Sequence, residues 1–380
     1  MSRDRKTLSL SLVLALAVAS ASVLALTVDS GRAAEGAAAA STAAPCPPHL
    51  AFLKSACGKW RASVLPEHLP PSRNNSVADS EVAASLGMRI FYDNRFSKAG
   101  SGIACVSCHD PEHTFAEKKA RSNTLKEVSR NAPDLIDAAW YSRTHFWDGK
   151  VADLWAAPLF TFEQPDEMGS TRLRVAHQAT TIYKIRYEKA FGSAPDLSDT
   201  KRFPADGKPG MPEFDSMSMS DKALVNGVYA NVGKALEAYI RKLAAGRSRF
   251  DDFINGTAKA LTSDAQRGMV AFTRHGCGTC HSGPTFSDER FHDLGIPPAP
   301  GQPQEAARAF RTPTLRNVAL TNPYGHNGAF DTLEGAIDAH ARVLSKQPAL
   351  DSQEKHDIVE FLRALSGRPP QPPWNYWPGG

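Results

Sequence analysis

No polybasic tract runs through this chain. Its 44 Lys and Arg and 40 Asp and Glu are mixed along 380 residues, for a formal charge of +4. Nucleic acid is therefore not an indicated partner. Period-2 alternation of apolar residues is scarce, which argues against a sheet-built fold. No βαβ pattern surrounds the cysteine pairs, so a thioredoxin-like redox motif has no scaffold. Beyond about Leu26 no apolar run approaches the ~20 residues that cross a bilayer. Cysteines are few, 6 in all, and none closes the N-terminal apolar run, which argues against a lipoprotein. Methionine stops at Met269, and no histidine stands between His113 and His145.

What is present reads as an ordinary globular protein, 42% hydrophobic and 22% charged, long enough for two or three compact domains. Arg3, Arg5 and Lys6 precede an apolar run from Leu8 to about Leu26, with small residues at Ala21, Ala25 and Ala34. That pattern predicts an export signal over residues 1–30, with an uncleaved anchor as the alternative. Residues 31–76 read as a linker, rich in Ala, Ser and Pro at their start. Cys46 and Cys57 stand apart from the other four cysteines. In an exported chain they are expected to form a local disulfide, worth ~2–3 kcal/mol for so short a loop. Two free or partner-bound thiols are the other reading.

The coarse pattern is helical, with long loops. Helices are expected from Ser80 to Tyr92, from Ala223 to Ala245, and from Ser263 to Arg274 with Ser263 as its cap. Two more start at Thr332 and Ser352, the last stopped by Gly367. The polar stretch from Ser198 to Ser220 reads as a surface insertion. A helix, a Cys-x-x-Cys-His and a long loop occur once before residue 246 and once after it. This distant repeat predicts two related modules.

The repeated motifs are Cys105-Val106-Ser107-Cys108-His109 and Cys277-Gly278-Thr279-Cys280-His281. The spacing sets two thiols under the two vinyl groups of a haem and a histidine beneath its iron. A zinc site shared by the two cysteine pairs would want them much closer in sequence. Two covalently held c-type haems are expected, one per module.

Around these motifs the chain resembles the bacterial di-haem cytochrome c peroxidases and their MauG-type relatives, over about residues 78–368. The resemblance is carried by Gly87–Asp93, Cys108–Glu112, Arg130–Pro133, Phe146–Lys150 and Glu167–Gly169 in the first module. In the second it is carried by Cys280–Pro284, Phe310–Asn317 and Pro323–Gly328. It implies an all-α protein of two cytochrome c-like helical domains, each with a haem. The first, 77–246, would meet peroxide; the second, 247–368, would relay electrons; 369–380 would be a tail. The resemblance also implies roles for single residues. Glu167 matches the catalytic glutamate, a carboxylate able to carry a proton between peroxide oxygens. Trp147 matches a tryptophan lying between the haems. Asn131, Thr321 and Pro323 match positions that hold a calcium ion between the domains, with a side-chain carbonyl and backbone carbonyls as donors. A solvated acid, a plain core aromatic and ordinary turn residues are the bland alternatives.

Two departures from the family pattern stand out. The position of the resting distal histidine of the first haem is Asn123, so that iron is expected to have an open face. The sixth ligand of the second haem, methionine in the peroxidases and tyrosine in MauG-type enzymes, falls 17 residues after the proline of Thr321-Asn322-Pro323, on His340. The resemblance implies reduction of hydrogen peroxide in the periplasm, with electrons from a small monohaem cytochrome c or copper protein. A MauG-like oxidase acting on a protein or organic substrate is the alternative. A non-catalytic electron-transfer cytochrome is a third.

Overall fold

The computed structural model describes residues 46–296, 308–343 and 349–375. The expected export signal and the end of the tail lie outside the described residues. Among the described residues no helix is long and apolar enough to cross a membrane.

Helices joined by long irregular segments build the fold, and the β structure is slight. One two-stranded antiparallel ribbon pairs Phe291–His292 with Phe310–Arg311. The apolar residues gather into two main cores. In the first, the helix Glu81–Tyr92 packs on the long helix Met219–Arg241, with Arg172–Thr181 beside them. In the second, Ser263–Arg274 packs on Ser352–Ala364.

Both pairings use one local device. A Cβ on Gly87 would lie 2.0 Å from the Ala235 carbonyl oxygen, and one on Gly268 would lie 2.0 Å from that of Asp357. Only glycine admits so close an approach of helix and backbone. Each glycine is followed by a buried methionine, Met88 or Met269, and a buried phenylalanine, Phe91 or Phe272. The two modules thus repeat at the level of packing as well as motif.

Several expectations need correction. Ser263 is the first helical residue rather than the cap; the Thr262 hydroxyl accepts from the Ala265 N–H at 3.1 Å. The segment read as a linker is folded from Pro48 onward. Leu50, Leu53 and Trp60 are buried in the second core, and Cys46 is joined to Cys57. The presumed surface insertion is anchored in the first core by Phe203 and Phe214. Each such ring, fully buried, is worth ~1.5–3 kcal/mol. The tail is not free either: the Tyr239 hydroxyl donates to the Trp374 carbonyl at 3.0 Å.

Candidate functional site

Each Cys-x-x-Cys-His folds as a short 3₁₀ turn, over Cys105–Ser107 and Cys277–Thr279. In both, the histidine N–H closes onto the first cysteine's carbonyl at 3.0 Å. His109 Nδ1 then meets the Phe115 carbonyl at 3.2 Å, and His281 Nδ1 meets that of Phe286 at 2.9 Å. Both phenylalanines are left-handed, at φ 55° and 51°. This is a strained choice for a bulky residue, held here by burial of each ring in its core. With Nδ1 donating to a carbonyl, Nε2 of His281 is left for a metal, while the His109 ring also meets the Pro133 carbonyl. Burial pulls both imidazoles down to about 4, so they are neutral near pH 7. Burial also pushes Cys105 up to about 12 and Cys277 up to about 11, so neither is a reactive thiolate.

Both turns open onto one continuous cavity of about 1160 Å³. Every site residue singled out in the sequence lines it: the four motif cysteines, His109, His281, His340, Glu167, Trp147, Asn131, Thr321 and Pro323.

The walls differ at the two ends. On the helix Leu333–Val343, His340 faces His281 with 6.2 Å between ring centroids and 54° between planes. Its Nδ1 is 2.8 Å from the Ala336 carbonyl, one helical turn back, which again frees Nε2. At the other end, Glu167 follows the helix Ala157–Glu163 through a turn in which the Gln164 carbonyl accepts from Glu167 at 3.3 Å and Gly169 at 2.7 Å. Burial raises its carboxyl above the usual range, opposed by the charge of Lys150 and a hydrogen bond from Thr161. Ser122 and Thr124, which flank Asn123, line this end.

Trp147 joins the halves. Its indole N–H donates to the Asn131 carbonyl at 2.9 Å, and its own carbonyl accepts from Arg311 N at 2.8 Å. Its ring meets His326 edge-on at 6.5 Å, and His326 stacks on Phe310 at 3.8 Å. Asn131 N donates to the His326 carbonyl at 2.8 Å, and its Nδ2 donates to the Lys119 carbonyl at 2.8 Å. His113 meets the Asn322 carbonyl at 2.7 Å, another tie between the halves.

Three contributors carried no role in the sequence reading. Arg311 is buried, its guanidinium 3.7 Å from the Tyr141 ring centroid. Among the described residues its Nη1 has no hydrogen-bond partner. A buried, half-satisfied cation calls for an anion, and the charged groups of haem are its propionates. Arg316 is the second: it pins the second module through Asp251. The third is Lys150, beside Glu167. As arginines and a lysine in polar stretches, they carry no periodic signal that would have marked them as buried or cavity-facing.

The residues fit the cofactor that the motifs imply. His281 and His340 stand 6.2 Å apart centre to centre, each with Nδ1 on a backbone carbonyl, so both imidazoles could hold one iron. Two neutral histidines, paired thiols and a buried guanidinium with one unsatisfied nitrogen, Arg311 Nη1, complete the set.

Two helical modules presenting equivalent turns to a shared cavity define a two-centre redox protein of the cytochrome c type. Comparison with known proteins narrows the class. The di-haem cytochrome c peroxidase family matches residues 81–259. Cytochrome c551 peroxidase of Pseudomonas aeruginosa is 30% identical over 327 residues, covering 81% of this chain and 84% of the relative. Methylamine utilization protein MauG of Methylorubrum extorquens is 28% identical over 327 residues, covering 80% and 83%. A solved MauG-like protein associated with microbial copper homeostasis superposes with a TM-score of 0.61 at 25% identity, covering 83% and 97%. The diheme peroxidase BthA from Burkholderia thailandensis shares the fold, with a TM-score of 0.59 at 20% identity, covering 80% and 94%. The chain belongs to the di-haem cytochrome c peroxidase family and is a peroxidase-like oxidoreductase.

Proposed function

We propose that this protein is a periplasmic peroxidase that reduces hydrogen peroxide to water with electrons from a small monohaem cytochrome c or copper protein. The observation that carries the reading is the asymmetry of the cavity. His340 opposes His281 at 6.2 Å, whereas the end served by His109 holds the partly buried acid Glu167. Bound haem would supply an open iron in the first module and a six-coordinate electron relay in the second. Cys105, Cys108 and His109 would hold the first group; Cys277, Cys280, His281 and His340 the second.

The rest belongs to the chain. Glu167, with its raised proton affinity, takes the proton of the inner peroxide oxygen and delivers it to the outer one. Trp147, hydrogen-bonded to one module and packed on the other, lies on the electron path. Asn131, Thr321 and Pro323 line one wall and would hold a calcium ion across the halves. The Asn131 amide has spent its N–H on Lys119, which leaves Oδ1 for a cation.

One observation favours a second reading. Two imidazoles on one iron give a lower potential than methionine and histidine. A low-potential relay is harder for a mild donor to reduce and easier to oxidise, which suits a MauG-like oxidase of a protein or organic substrate. Steady-state peroxide consumption with reduced monohaem cytochrome c, repeated with a small copper protein, separates the two. Turnover with either donor supports the peroxidase. Peroxide consumption with neither, alongside stoichiometric oxidation of the enzyme by peroxide, sinks it in favour of the oxidase.

A further inference from the structure

We propose that Lys150 is a catalytic residue of the first haem pocket: its ammonium and the Glu167 carboxylate flank the place where peroxide binds, and the ammonium holds the charge that builds on the departing oxygen. The proposal rests on the peroxidatic reading of the His109 end and goes beyond it by naming a second polar group.

The chain places Lys150 by a tight turn. His145 N donates to the Val151 carbonyl at 2.7 Å, and Phe146 and Gly149 within the turn are left-handed, at φ 65° and 67°. Gly149 suits the left-handed turn, and a Cβ there would also lie 2.3 Å from the tip of the Phe291 ring. The turn delivers Lys150 to the cavity that Thr161 and Glu167 also line. There its Nζ lies 4.6 Å from the Phe146 ring centroid and 4.0 Å from that of Phe160. Two aromatic faces stabilise a cation in one position without neutralising it. Asp148, two residues back, is ion-paired with Arg130 at 2.9 Å, and its charge also acts on Lys150. Lys150 and Glu167 line the same cavity and act on each other's charge.

The chemistry balances with these two groups. The O–O bond of hydrogen peroxide breaks heterolytically, and the bonding pair leaves with the outer oxygen. Glu167 moves the inner oxygen's proton to the outer oxygen, which departs as water. The two electrons come from the haem pair and are returned by the donor; the inner oxygen takes up two protons from solvent and leaves as the second water. Lys150 gives no proton in the balance; its N–H bears the charge on the leaving oxygen until the proton arrives.

Fluoride, an anion that binds open ferric haem and accepts hydrogen bonds, is the probe. It is titrated optically into the oxidised holoprotein and its Lys150→Gln, Lys150→Arg and Glu167→Gln variants, each first checked for two covalently retained haems. Peroxide reaction rates are measured on the same samples. Lys150→Gln is expected to weaken fluoride binding and slow the peroxide reaction, each by about tenfold or more, the size of a charge-assisted hydrogen bond. Lys150→Arg should recover most of both. Unchanged fluoride affinity in Lys150→Gln overturns the proposal, even if the rate falls, because Lys150 would then act through another residue. A wild type that binds no fluoride and ignores peroxide until reduced removes the open-iron reading, and the proposal with it. A Glu167→Gln effect with no Lys150→Gln effect leaves the reading and removes only the proposal.

Discussion

The imidazole rings of His281 and His340 stand 6.2 Å apart, centre to centre, each with Nδ1 turned to a backbone carbonyl. A proximal histidine facing a second histidine suits a closed metal centre. His109 is held by the same kind of carbonyl contact, yet its end of the cavity carries Glu167 and Lys150. One chain thus carries two similar turns whose surroundings in the cavity differ.

Covalent attachment is the first test of that assignment. Cys105→Ala and Cys277→Ala should each lower the haem retained after acid–acetone extraction from two per chain to one. Two haems surviving in either variant would detach that motif from haem binding.

Glu167 should give the peroxide reaction an acid limb. Burial raises its carboxyl, against the nearby charges of Lys150 and Arg130 and the Thr161 hydrogen bond, while Asp166 adds to the rise. The group works as the carboxylate, so lowering the pH through this raised value removes the active form. The rate should therefore begin to fall at a higher pH than an ordinary glutamate, near 4.3, would impose. Glu167→Gln should slow the reaction by about 10²-fold or more and abolish that limb. Stopped-flow spectra across pH check both; an unaltered profile in Glu167→Gln would move the role elsewhere.

Asp251 and Arg316 should hold the second module together. Both are buried, and Arg316 reaches the carboxylate at 2.6 and 2.9 Å while donating to the carbonyls of Ser63 and Pro284. Burial alone would raise the Asp251 carboxyl; the hydrogen bonds and charge of Arg316, with Ser248, bring it below its usual range. A depressed carboxylate contributes stability present above its unfolded value, ~3.9, and lost as pH falls through the folded one. Asp251→Asn leaves Arg316 buried without its counter-charge and should cost roughly 3–5 kcal/mol. Thermal unfolding near pH 7 measures the loss, and the variant's disadvantage should shrink in acid. A change under 1 kcal/mol, by the same order-of-magnitude reasoning, would deny the pair its structural role.

The haem turns were legible because their chemistry is written in five consecutive residues. The placement of His340 opposite His281 was legible because the motif segments fixed a register to a helix whose apolar pattern is local. Residues that act through distant partners were not. Arg316 pairs with Asp251 across 65 positions and with Ser63 across 253, and nothing local marks it as buried. Phe203 and Phe214 sit singly among polar neighbours, so no periodicity reveals that both are core. Leu50 and Trp60 lie in a stretch that opens like a linker, and only the second core gives them a place. The cap at Thr262 rather than Ser263 is a choice between two adjacent cap-formers. Lys150 looked like any loop lysine until the turn brought it to Phe146 and Phe160.

Low-temperature electron paramagnetic resonance of the fully oxidised holoprotein tests the division of labour most directly. One high-spin ferric centre, from the His109 module, should accompany one low-spin centre with two imidazole ligands, from the His281 module. In His340→Ala the low-spin signal should give way to a second high-spin one. Two low-spin centres in the wild type, a methionine–histidine spectrum, or a low-spin signal that survives His340→Ala would contradict the asymmetry on which the proposed function stands.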